Sequence, residues 1–198
     1  TRYRFVTGVQ TCALPISDRL GRLTQKLLTL TKLDSSVEEE REILDAAPVV
    51  RKVVRMLLPL ARLRSIGIDT TFEPDCSVMT VEDDLYQIVF NLTENAIKYN
   101  RQDGWVGVSV RRAGDQVELR VEDSGAGIPP ESMEHIFERF YRVDKARSRA
   151  AGGAGLGLSI VHDMVERSYG TITVQARPGG GTIFTVRFPH FDLEEDET

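Results

Sequence analysis

Between Val49 and Phe188 the apolar residues change period several times, and the order of those changes leaves few architectures open. Val49 to Leu63 carries apolar residues at helical spacing, with Pro48 near the first turn and Gly67 as the stop. Ile68 to Glu73 and Val78 to Val81 alternate with period two and predict strands. A second helix runs up to Lys98. Asp103-Gly104 then marks a turn into a strand from Trp105 to Arg112, and Ala113-Gly114-Asp115 leads into another, Gln116 to Glu122. A third helix, Gly155 to Tyr169, precedes a closing hairpin of Thr171 to Gln175 and Thr182 to Phe188 around Pro178-Gly179-Gly180-Gly181. This order predicts an α+β fold, a two-layer sandwich whose mixed sheet is covered on one face by helices.

The second helix carries more information than packing requires. At about 100° per residue, Leu85, Ile88, Val89, Leu92 and Ala96 form one apolar stripe. Asn91, Asn95 and Lys98, at i, i+4 and i+7, form a second stripe displaced around the helix. Two amides and an ammonium in a row suit a hydrated Mg²⁺ and its phosphates, since Mg²⁺ takes oxygen ligands and keeps several waters. A solvated polar face would show the same residues.

Composition excludes some classes. The chain has 198 residues, 41% of them hydrophobic, and a net charge of −5, with no overall basic footprint of nucleic-acid binding. No apolar run approaches the roughly 18 residues of a membrane helix. Two cysteines, Cys12 and Cys76, suggest neither a disulfide framework nor a zinc site, and a reducing, cytosolic setting is the default expectation.

The expected divisions are a leader (1–16), a single amphipathic helix (17–34), a linker (35–44), the main domain (45–190) and an acidic tail (191–198). The leader has no helical or strand period and no signal-peptide architecture. Its stretch Val6 to Ile16 resembles the translation of a sequencing-adapter oligonucleotide, so an assembly artefact is expected there. From Ser17, with Asp18 able to cap, Leu20, Leu23, Leu27, Leu28, Leu30 and Leu33 form a helix too short to make a core without a partner helix.

Three further stretches can carry chemistry. In Asp123-Ser124-Gly125-Ala126-Gly127-Ile128-Pro129, an ionised Asp at a strand end can accept from an exocyclic amine such as adenine N6, and the glycines let backbone approach a flat ring. Ordinary turns use the same residues. Gly152-Gly153-Ala154-Gly155-Leu156-Gly157-Leu158 runs into a helix, so its N–H groups can turn toward an anion, although a plain hinge would also be glycine-rich. A basic loop precedes it rather than a strand, which argues against a dinucleotide fold. Arg139, Arg142, Lys145, Arg147 and Arg149 lie in a segment poor in apolar residues, suited to a mobile lid that meets phosphates, with Phe137, Phe140 and Tyr141 expected to anchor its near end.

Taken in order, Asn91-x-x-x-Asn95-Ala-x-Lys98-Tyr99, Asp123-x-Gly125-x-Gly127-Ile128, Glu138-Arg139-Phe140-Tyr141-Arg142 and Gly153-x-Gly155-Leu156-Gly157-Leu158 resemble the nucleotide-binding boxes of sensor histidine kinases. The likeness spans about residues 45 to 190, and the 18–33 helix resembles the second helix of that family's dimerisation and phosphoacceptor hairpin. The resemblance implies the Bergerat-type fold shared with gyrase, Hsp90 and MutL-type ATPases, and ATP with Mg²⁺ as ligands. It implies Mg²⁺ at Asn95, phosphates at Asn91 and Lys98, and the base or ribose side at Tyr99. Asp123 would bond adenine N6 in a pocket shaped by Gly125, Gly127 and Ile128. Gly153, Gly155, Leu156, Gly157 and Leu158 would sit at the phosphates and hinge the lid, with Phe140 and Arg142 in the same binding set.

In the ATPase branch the resemblance implies a Glu four residues before the metal-binding Asn, activating a water. Asn91 stands there instead and cannot act as a base. A kinase is therefore expected over an ATPase, because phosphoryl transfer needs mainly positioning and charge stabilisation. The family's acceptor histidine lies on the first hairpin helix, whereas the three histidines here are His135, His162 and His190, none in that context. The expectation is a chain that binds ATP without autophosphorylating in cis. The implied partners are a phosphoacceptor hairpin, a response-regulator receiver domain and a second copy in the full-length protein, itself expected to be membrane-anchored with this part in the cytoplasm. Two alternatives stay open: a regulatory serine kinase of the same fold, and a pseudo-kinase that holds nucleotide without transfer.

Overall fold

The computed structural model describes residues 40–143 and 154–192, together with Thr24. The expectations for the leader, the 17–34 helix, Lys145, Arg147, Arg149, Gly153 and the acidic run 194–197 lie outside the described residues. Among the described residues from Glu40 on, seven strands and three α-helices follow in the order β1 (Glu42–Asp45), α1 (Ala46–Leu63), β2 (Gly67–Phe72), β3 (Ser77–Thr80), α2 (Glu82–Lys98), β4 (Trp105–Ala113), β5 (Gln116–Asp123), α3 (Gly157–Arg167), β6 (Thr171–Ala176) and β7 (Thr182–Pro189). Five strands form a mixed sheet, β2-β4-β5-β7-β6, parallel only between β2 and β4.

The α+β sandwich expected from the sequence is the observed one. In β4 and β5 the inward residues pair as Val108 with Val121 and Val110 with Leu119, all buried. Val121 in turn faces Phe184, and Leu119 faces Val186, across β7. α2 lies over this face between α1 and α3, and Leu85, Ile88, Val89, Leu92 and Ala96 are all at most 6% exposed. The outer face is a grid of charges, in which Glu118 accepts from Arg111 at 2.7 Å and pairs with Arg187 at 2.8 Å. Burial pushes the Glu118 carboxyl up, but the two guanidiniums outweigh it and hold it below the usual range.

Three local expectations are corrected. Residues 42–44, read as linker, belong to β1, which pairs antiparallel with β3 from Glu42↔Thr80 to Asp45↔Ser77. Asp45 then caps α1 by accepting from the Ala47 N–H at 3.1 Å, so the helix starts before Val49. Gly67 does not stop α1. Ser65 takes the left-handed turn (φ 54°) while the Ile66 N–H bonds back to Ala61 O, and Gly67 is already the first residue of β2. No helix among the described residues is long and apolar enough to cross a membrane.

Candidate functional site

The apolar stripe of α2 fixes the rotation of the helix and so aims its polar stripe. Asn91 is 2% exposed, and its Nδ2 has no hydrogen-bond partner among the described residues. A buried unpaired donor of this kind costs about 1–3 kcal/mol. The unpaired atom is an N–H donor, which fits a phosphate oxygen and not a metal. Asn95, one turn on, is half-buried, and its carbonyl accepts from the Tyr99 N–H at 2.9 Å. Lys98 ends the helix with its Nζ 2.7 Å from Glu94 Oε1, both side chains less than one-fifth exposed. Its carbonyl accepts from Arg64 at 2.8 Å, so the backbone at this end is held.

Asp123 closes β5 and is 8% exposed. Its Oδ1 accepts from the Gly125 N–H at 2.7 Å, and the N–H and hydroxyl of Thr182 face the same carboxylate. Burial pushes the Asp123 carboxyl above its usual range, although these donors and the Arg177 charge oppose the shift. The following loop is pressed against the end of α2. A Cβ on Gly125 would stand 2.6 Å from Tyr99 O, and the Ala126 N–H reaches the same carbonyl. Ser124 accepts from the Trp105 N–H at 2.8 Å, and Asn100 donates to both Ala96 O and Trp105 O. Tyr99 is 39% exposed at the end of α2, while further along the loop Gly127 has φ 74° and Ile128 is half-buried.

The third group forms at the start of α3. Gly155 has φ 73°, and a Cβ there would lie 2.8 Å from Phe140 C and Tyr141 O, so only glycine lets the two segments meet. The Phe140 N–H donates to Gly155 O at 2.8 Å. Leu156 is fully buried, Leu158 packs on the core, and no described side chain caps α3 at Gly157. Phe137 and Tyr141 anchor this base, with Phe137 edge-on to Phe184 and Tyr141 donating to Ser132 Oγ at 3.0 Å. Phe140 does not anchor it, being 64% exposed with φ 67°. Arg139 pairs with Asp163 at 3.2 Å, and Arg142 is half-buried.

The fold thus joins the Asn91–Tyr99 stripe directly to the Asp123–Ile128 loop, and Phe140 directly to Gly155. Because α2 packs on α3, both groups border the same helical layer. Gly181 and Thr182 are additions that the motif pattern did not mark. A Cβ on Gly181 would stand 1.9 Å from Asp123 O, and its φ is 105°. In the sequence they read only as hairpin, and nothing local ties them to Asp123. Gly125 and Gly181 let the backbones of Tyr99 and Asp123 come into close contact with this loop, and the buried carboxylate they surround can accept from an amine-bearing ring.

Comparison with known proteins adds a family. The sequence profile described as Histidine kinase-, DNA gyrase B-, and HSP90-like ATPase matches residues 80–192. The sensor-like histidine kinase SenX3 of Mycobacterium tuberculosis is 36% identical over 174 residues, 87% of this chain and 42% of that protein. The chain therefore spans less than half the length of this relative. The mycobacterial sensor histidine kinase MprB is similar in structure, with a TM-score of 0.65 and 30% identity over 75% of this chain and 97% of that one. Full-length ShkA in complex with AMPPNP gives a TM-score of 0.78 and 28% identity, covering 96% of this chain and 40% of that one.

Proposed function

The chain belongs to the family of histidine kinase-, DNA gyrase B- and HSP90-like ATPases, and from that membership we propose that it binds ATP with Mg²⁺ and donates the γ-phosphate to a histidine on a dimerisation hairpin in two-component signalling. In the transfer, the histidine nitrogen forms a bond to the γ-phosphorus, the bond to the bridging oxygen breaks, and ADP leaves. The observation that carries this reading is the buried Asn91 amide, whose unpaired Nδ2 is matched by a phosphate oxygen.

Asp123 accepts from the adenine amine, and Gly125, Gly127, Gly181 and Ile128 shape the surrounding pocket. Tyr99 borders the ribose. The uncapped start of α3 at Leu156 to Leu158, with Gly155 as hinge, turns N–H groups toward the phosphates. Phe140 and Arg142 close the site from the lid side, with Gly153 in the segment between. Asn95 offers its amide oxygen to the metal, and Mg²⁺ held there would neutralise the charge that develops on the phosphate oxygens.

No carboxylate stands at Asn91, and the nearest, Glu94, is tied to Lys98 at 2.7 Å. Water is thus left without a base, which favours an external nucleophile. His135 and His162 stand in pairs with Glu138 and Glu166, and the His190 side chain is 4% exposed; none of the three is proposed as the acceptor. The hairpin, a second copy and a response-regulator receiver domain are the proposed partners. The serine-kinase and pseudo-kinase alternatives have no observation of their own in their favour.

The test is a thermal shift with ATP, with and without Mg²⁺, followed by labelled ATP with and without a supplied hairpin. Ligand at 100 times Kd adds about 2.7 kcal/mol of stability. Asn95→Ala is expected to lose the Mg²⁺-dependent part of that shift, and retention of it sinks the metal assignment. Label is expected on the supplied hairpin only. Rapid hydrolysis without an acceptor, or phosphohistidine on this chain, would overturn the kinase reading.

A further inference from the structure

We propose that Glu94 is a positioning residue that stores Lys98 in the empty site and makes tight nucleotide binding depend on a divalent cation. The proposal rests on the ATP reading above and concerns a residue at an unspecified position within the first motif box. Glu94 and Lys98 stand one helical turn apart on α2, with Nζ 2.7 Å from Oε1 and side-chain exposures of 18% and 19%. The acid precedes the base, the favourable order for a pair at this spacing. Exposed pairs of this kind are screened and weak, but one four-fifths covered is screened much less.

The pair also lies on the phosphate side of the helix. Glu94 adjoins Asn95, and Lys98 is one turn beyond Asn95 on the stripe that begins at Asn91. In this state Lys98 offers an anion no net charge. A triphosphate can take Lys98 only by breaking the 2.7 Å contact, which leaves a largely covered carboxylate unpaired beside several negative oxygens. That is unfavourable for the nucleotide alone. A divalent cation arriving with the phosphates gives Glu94 a replacement partner, directly or through the cation's waters. The exchange needs only side-chain rotation, because Arg64 holds the Lys98 carbonyl and the Tyr99 N–H is bonded to Asn95 O. No covalent bond changes.

Two other carboxylates at the proposed site have partners of their own. Asp163 pairs with Arg139, and Asp123 accepts from the Gly125 N–H. Neither borders Lys98 along α2. Glu94 is therefore the group through which the cation requirement can reach Lys98.

The test is titration of the 198-residue chain with trinitrophenyl-ATP at fixed ionic strength, once with excess Mg²⁺ and once with EDTA. Glu94→Gln is expected to tighten binding in EDTA about tenfold, equivalent to ~1.4 kcal/mol, and to leave the Mg²⁺ value within about threefold. Lys98→Met is expected to weaken binding in both conditions. In the Lys98→Met background, Glu94→Gln is expected to keep only a reduced effect in EDTA, the part that comes from direct repulsion between Glu94 and the phosphates. An unchanged EDTA-to-Mg²⁺ ratio in Glu94→Gln, or a full effect persisting without Lys98, overturns the exchange while leaving the ATP site standing. Absence of binding by the unaltered chain in both conditions overturns the ATP reading itself.

Discussion

Asp123 shows how one residue sets stability against binding. Its carboxyl is pushed up by burial, so its pKa in the folded chain lies above the unfolded reference of 3.8. A group raised on folding contributes stability that is fully present below the unfolded value and is lost as pH rises through the folded one. At neutral pH the ionised Asp123 is therefore a standing cost to the apo fold. Asp123→Asn is expected to raise the melting temperature of the ligand-free chain at pH 7. The same change removes a charge-assisted acceptor worth about 1.5–3 kcal/mol, or roughly 10- to 150-fold in nucleotide Kd. Calorimetry with and without nucleotide reads both effects, and an Asn variant that keeps full affinity sinks the adenine assignment. The carboxylate itself was legible in the sequence as a strand-end Asp before two glycines. The facing Thr182 was not, because that contact joins strands distant along the chain.

At the scale of elements, α2 is the member against which the others are placed. Its apolar stripe packs on α1, α3 and the sheet, and the rotation this imposes turns Asn91, Asn95 and Lys98 toward the site. Leu92 is 1% exposed between the two asparagines. Leu92→Ala is expected to cost about 2–5 kcal/mol, seen as a lower urea midpoint with an unchanged slope. A loss well under 1 kcal/mol would mean that the helix is not wedged as described. Both stripes of α2 follow from residue spacing alone, so this element was readable before any contact was known. β1 was not, since four residues in a polar stretch have no period to detect and become a strand only by pairing with β3.

At the scale of the molecule, the C-terminal end of the main domain is fastened to the start of β3 and to the β4–β5 turn. The Phe191 N–H donates to Ser77 O, and the His190 N–H donates to Asp115 O. The His190 ring nitrogen Nε2 lies 3.2 Å from Asp75, which also bonds Arg112. The His190 hydrogen bond, helped by that of Arg112 and by both charges, holds the Asp75 carboxyl below its ordinary 3.8 against burial, which is second in size only to the His190 bond. A lowered pKa contributes stability above the unfolded value that is lost as pH falls through the folded one. Asp75→Asn is expected to melt earlier than the parent at pH 7, with the gap closing as pH drops below 3.8. Melting curves from neutral to acid pH check this, and a gap independent of pH would assign the effect to something other than the carboxylate charge.

The sequence by itself determined the period of each element, the sandwich that those periods allow, and the helix face carrying Asn91, Asn95 and Lys98. Periodicity and turn chemistry act over a few residues, and a linear chain displays them directly. Only the tertiary structure decided which groups those faces meet. It set Gly181 and Thr182 against Asp123, closed Glu94 on Lys98, left Phe140 outside the core and made Ser65 rather than Gly67 the end of α1. The long-range contacts among these depend on how segments remote in sequence pack. The local ones depend on rotamer and backbone choices that the surrounding packing settles.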